Sequence, residues 1–114
     1  MNKIMLWEPD RDLRNALTLY IANLGYKPIP TVGYVEFREA LGVERPDLCM
    51  LPVNRDRGAR INFDRADQPL DRHGEISVVL PEFAGPNGDR RAVSGLVLDK
   101  VRKPFGIREL AGSL

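Results

Sequence analysis

The chain has 114 residues, with 17 Lys and Arg against 16 Asp and Glu, one His and one Cys. That length makes a single domain spanning 1–114, and a formal charge of +1 leaves no basic stripe for nucleic-acid binding by counterion release. One cysteine excludes an internal disulfide, and no apolar run approaches the roughly 18 residues of a membrane span. The expectation is a cytoplasmic protein with neither nucleic acid nor membrane as a direct partner.

Ile4-Met5-Leu6-Trp7 is a continuous apolar run that stops at Glu8-Pro9-Asp10, the pattern of a strand buried on both faces. From Asp10 the period changes. Leu13, Ala16, Leu17, Tyr20 and Leu24 recur at helical spacing, with Asp10 as cap and Gly25 as stop. Lys27-Pro28-Ile29-Pro30 lacks two backbone N–H groups and reads as an edge strand. Val35, Phe37, Ala40 and Leu41 make a short second helix ending near Gly42.

Asp47 to Leu51 is a second buried strand, closed by Pro52. Between residues 54 and 75, ten of 22 positions are Asp, Glu or Arg, so apolar periodicity is lost and a loop-rich stretch with at most a short helix is expected. Ile76 to Leu80 is a third buried strand, closed by Pro81. Gly85-Pro86-Asn87-Gly88 is a loop, Asp89 to Ser94 has room for about two helical turns, and Val97 to Val101 is the last strand. A final helix opens at Ile107. It is short for a complete one, so the chain either continues into an output domain beyond Leu114 or ends on a stunted helix. Strands alternating with helical or loop connections predict an α/β fold: a doubly wound, five-stranded parallel sheet with shortened or irregular third and fourth helices.

In such a sheet the working site lies at the carboxyl ends of the strands. The residues there are Glu8, Pro9 and Asp10, then Pro52 and Asn54, then Pro81 and Glu82, then Lys103-Pro104. At these positions the chain resembles the receiver domains of bacterial response regulators, which have a flavodoxin-like fold. The matching stretches run from Lys3 to Arg14, from Glu44 to Leu51 and from Arg102 to Leu110. The spacing of Pro9, Pro52, Pro81 and Lys103 falls within a residue or two of the family's.

The resemblance implies an acidic metal-binding pair at Glu8 and Pro9, a phosphoacceptor at Pro52, a hydroxyl at Pro81 and a lysine at Lys103. Three of these five are proline. Magnesium requires hard oxygen ligands and phosphoryl transfer a nucleophilic oxygen, and proline supplies neither. Asp10 could replace one missing acid. The position of the aromatic switch falls on Lys100, so the usual coupling from hydroxyl to aromatic ring is absent. Glu8 and Asp10 are read first as cap and dipole partners rather than metal ligands, and Lys103 as the structural partner of Glu8. His73 lies in the charged stretch as a solvent-exposed side chain, and Cys49 belongs to the core. The arginines of 55–72 alternate with aspartates and form a solvated face.

The expectation for function is a non-enzymatic, phosphorylation-independent receiver-like module in a two-component-type pathway, without cofactor or metal, binding a protein partner or a second copy. The alternative is a flavodoxin-like small-ligand or cofactor-binding domain, although Glu8-Pro9-Asp10-Arg11 is no glycine-rich phosphate loop. In receivers the usual contact face is built from the fourth helix, fifth strand and fifth helix. That maps here to Arg90, Arg91, Asp99, Lys100, Arg108 and Glu109, whose mixed charges suit a self-complementary contact.

Overall fold

The computed structural model describes residues 2–53, 55–64, 75–83 and 92–102. In chain order the elements are β1 (Lys3–Trp7), α1 (Arg11–Asn23), β2 (Lys27–Thr31), α2 (Tyr34–Glu44), β3 (Leu48–Leu51), β4 (Arg60–Asn62), β5 (Glu75–Phe83) and β6 (Ala92–Arg102). Together they form an α/β protein whose single six-stranded sheet is mixed, in the order β2-β1-β3-β5-β6-β4.

The first half follows the sequence closely. Asp10 caps α1, its carboxylate accepting from the N–H groups of Asp12 at 2.9 Å and Leu13 at 3.1 Å. Gly25 ends the helix at φ +95°, a conformation glycine adopts without a Cβ penalty. Its N–H donates to Ala22 and that of Tyr26 to Ile21, which satisfies two of the terminal carbonyls. Leu17 and Ile21 are the buried residues of α1, whereas Ala16 and Leu24 face solvent. α2 outruns the expected stop at Gly42 and ends at Arg45, which takes the left-handed conformation with φ 47°. The Arg45 guanidinium lies 4.7 Å from the centroid of the Phe83 ring, a cation–π contact.

β1 pairs in parallel with β2 on one side and β3 on the other. Buried side chains alternate along it. Ile4 and Leu6 join Leu17, Ile21, Met50 and Ile76 beneath α1. Met5 and Trp7 join Phe37, Leu41, Cys49 and Leu51 beneath α2. A central strand with a helix on each face is what the apolar runs of β1 and β3 require.

The second half departs from the expected doubly wound, flavodoxin-like sheet of five parallel strands, and the described residues hold no helix after α2. β5 runs antiparallel to β3 and to β6, and β4 antiparallel to β6. The reason lies in the connections. Parallel neighbours need a crossover of a dozen or more residues, usually helical. Only the eight residues 84–91 separate β5 from β6. The stretch before β5 carries too little apolar periodicity for a crossover helix, and it contributes the short β4 at the outer edge instead. β5 continues through Pro81, because beyond Val79 it has no partner in β3 and one side of its ladder is free of obligation. β6 includes residues 92–94, which the sequence had placed in a helical turn.

Candidate functional site

β6 runs in the same direction as β1 and β3, since it is antiparallel to β5, which is antiparallel to β3. The carboxyl ends of β1, β3 and β6 therefore share one edge of the sheet with the amino end of β5. The chain order around β1 reverses there: α1 leads to β2 on one side, α2 to β3 on the other. A crevice at such a reversal is the usual ligand position in open α/β sheets.

Of the residues expected there, Glu8, Pro9, Asp10 and Pro52 are at this edge. Glu8 and Pro52 are buried; Pro9 and Asp10 are exposed. The backbone N–H of Glu8 donates to the Thr31 carbonyl at 3.2 Å, extending the β1–β2 ladder by one residue. Arg14, on the first turns of α1, donates from Nη1 to the carbonyls of Glu8 at 2.8 Å and Pro9 at 3.3 Å. The guanidinium thus ties the two carbonyls of this loop to α1. The Asp10 carboxylate, the candidate replacement acid, is committed to capping α1. No group of three or more potential metal-ligating side chains occurs among the described residues.

Pro81, expected at this edge, does not lie there. The reversal of β5 carries it to the other end of the sheet, opposite Gly95 on β6 and well past the Cys49–Val79 pair. Glu82 goes with it and forms an ion pair with Arg60. The reversal brings Glu75 and Ser77 to the site edge instead. Buried Ser77 donates its hydroxyl to the Val53 carbonyl at 2.9 Å and so ties down the residue after Pro52. Glu75, opposite Arg102, pairs diagonally with Lys100, opposite Ser77, with Nζ 2.7 Å from Oε2 and both side chains about three-quarters buried. Sequence reasoning missed Glu75 and Ser77 because it assigned β5 the opposite direction. Lys103 lies outside the described residues, as do Asn54, His73, Pro104 and the helix expected from Ile107.

Two of the six residues expected on a contact face are described. Asp99 pairs with Arg57 at 2.6 Å and also accepts from the Lys100 N–H at 2.8 Å, while the Lys100 side chain holds Glu75. Their charges are engaged within the chain. Arg90, Arg91, Arg108 and Glu109 lie outside the described residues.

Beneath α2, Trp7, Tyr34, Phe37 and Phe63 form an aromatic cluster. Trp7 stacks on Phe37 at 5.6 Å between centroids, and Phe37 meets Phe63 at 5.8 Å. Tyr34 donates its hydroxyl to the Phe63 carbonyl at 3.2 Å. A void of about 10 Å³ remains among these rings and Leu51, Val53 and Ile61, the lower limit for one water molecule. Burial pushes the Cys49 thiol pKa up, which makes it inert core.

Fold and site together define an α/β protein with a helix on each face of its parallel half and an antiparallel second half. No protein-family model matches the chain, no curated protein is significantly similar to it, and no solved structure matches its fold at a significant level.

Proposed function

We propose that this chain is a receiver-like regulatory module that has given up phosphoryl chemistry and acts by binding another protein in a two-component-type pathway. The observation that carries the reading is Pro52, buried at the carboxyl end of β3 beside β1, where a receiver needs its acceptor oxygen. Three arrangements support it. The five strands expected from the sequence stand side by side in the chain order second, first, third, fourth, fifth, with β4 added outside; this is the strand order of flavodoxin-like sheets, although the fourth strand is reversed here. The loops at the would-be site are tied by Arg14 to Glu8 and Pro9 and by Ser77 to Val53. The acid beside them caps a helix.

A binding module needs no turnover, so a site closed by prolines and internal hydrogen bonds costs it nothing. In this reading the protein is cytoplasmic, is not an enzyme and uses neither cofactor nor metal. The test is a titration of the isotope-labelled chain with magnesium and beryllofluoride, a phosphoryl mimic, followed by backbone amide NMR. The expected result is shifts no larger than those from salt alone. Saturable shifts at Glu8, Pro52-flanking residues and Lys100 would overturn the proposal.

A further inference from the structure

The interaction reading leaves open which surface meets the partner, and the following rests on that reading. We propose that the outer face of α2 is the docking surface for a partner protein whose contacting segment carries a lysine or arginine flanked by aliphatic side chains.

α2 turns Phe37 and Leu41 fully inward, with Tyr34 and Ala40 packed beside them. Its outer face is not the polar surface that a solvent-facing helix presents. Val43 is 82% exposed and Val35 67%, and Val32, just before the helix, is 51% exposed. Val35 and Val43 are eight residues apart on one face, about 12 Å along the axis. β-branched valine is a poorer helix former than lysine, glutamate or glutamine, so helix stability does not account for it at exposed positions. The row at i, i+4 and i+8 is the ridge that an incoming helix accommodates in its groove.

Charge selects the occupant. Glu39 stands halfway between the two valines and is exposed. Glu36, one turn away, accepts from the Val32 N–H at 3.3 Å and keeps its charge on the same face. The other charges of α2 are neutralised within the chain: Arg38 by Asp64 and Glu44 by Lys3. The face is therefore apolar at both ends and negative at its centre. A second copy docked about a two-fold axis would set Val35 against Val43 and Glu39 against Glu39, a like-charge contact that disfavours self-association. An anionic lipid surface is repelled for the same reason. A cation between aliphatic groups satisfies all three positions. The alternative surface on β6 offers less, since Asp99 and Lys100 are already paired with Arg57 and Glu75.

The test places a photo-crosslinking residue at Val43, and in separate strains at Val35 and at Leu98 on β6, in the full chain expressed in its own cells. Crosslinked segments are then sequenced by mass spectrometry. The expected adduct from positions 43 and 35 is another protein, joined at a segment with Lys or Arg within one helical turn of aliphatic residues. Glu39→Lys should reduce its yield by about tenfold, in the range of a lost interfacial charge pair. Reversing the partner's cation to Glu should restore it. Adducts to a second copy, adducts indifferent to Glu39→Lys, or none from either position would overturn the proposal. An adduct at 98 alone moves the contact to β6 and leaves the interaction reading standing; none at any position contradicts both. Circular dichroism and Trp7 fluorescence check that each variant keeps its fold, as substitution at an exposed helix position should allow.

Discussion

Pro52 and Pro81 stand at opposite ends of the sheet. Pro52 leaves β3 one residue past the Leu51–Ser77 pair, whereas Pro81 lies opposite Gly95. Five residue steps along the strand separate them, about 17 Å. A hydroxyl at 81 could not reach a phosphoryl group at 52. On the proposed receiver-like reading, placing an acceptor carboxylate alone by Pro52→Asp should therefore yield no stable phosphorylation, because Pro9 supplies no second acid to hold magnesium and the carboxylate at 10 is committed to a helix cap. Intact mass after treatment with acetyl phosphate and magnesium checks it, and stoichiometric labelling of this variant would show a competent site.

Gly95 is pinned by close packing. A Cβ there would lie 2.5 Å from Val79 Cγ1 and 2.8 Å from Phe63 Cζ. The β5–β6 hairpin and the turn after β4 close over that hydrogen. Gly95→Ala should destabilise the fold by about 1–3 kcal/mol through overpacking, measured by urea denaturation. An unchanged midpoint would mean that β4 and its turn do not pack on β6 as described.

Cys49 gives a direct readout of global opening. Its thiol is fully buried in β3, and burial raises its pKa, so little thiolate forms at neutral or mildly alkaline pH. Alkylation of the native chain at pH 8 should be slower than in urea by orders of magnitude and should follow the unfolding curve. Rapid native labelling would place β3 at an exposed edge.

The proline edge of β2 protects against strand addition. Lys27 donates its N–H to Asn2 and Thr31 accepts from Glu8, so residues 27, 29 and 31 face β1, and Pro28 and Pro30 face outward. Neither outward position offers a donor, which blunts the edge as a template. The double variant Pro28→Thr/Pro30→Thr should sediment as larger species than the parent at the same concentration. Identical sedimentation of the two would show that another feature guards this edge.

Much of the first half was legible in the sequence. The Asp10 cap, the Gly25 stop, the prolines of β2 and the two-sided burial of β1 and β3 are local signals, each written within a few residues. The direction of β5 was not. Ile76–Leu80 and Val97–Val101 leave sixteen residues between them, enough for a crossover helix. The strands extend at their facing ends to Phe83 and Ala92, which shortens the link to eight residues and forces a hairpin. Pro81 concealed the first extension, since proline usually ends a strand and is tolerated here only where β3 has run out. β4 is three residues long, too short for alternation to register among the charges around it. Gly42 misled in a different way: α2 carries the glycine inside its last turn and uses Arg45 for the left-handed cap. Errors of direction moved Pro81 and Glu82 out of the candidate site and brought Ser77 and Glu75 into it.

The central claim, that the module works without phosphorylation, is tested most directly by intact mass measurement of the unaltered chain after incubation with acetyl phosphate and magnesium. With Pro52, which has no side-chain oxygen, at the end of β3 and Arg14 holding the carbonyls of Glu8 and Pro9, the mass should stay that of the unmodified protein at every time point. A single added phosphate at stoichiometric yield, localised to the β1, β3 and β6 edge of the sheet, would contradict the account.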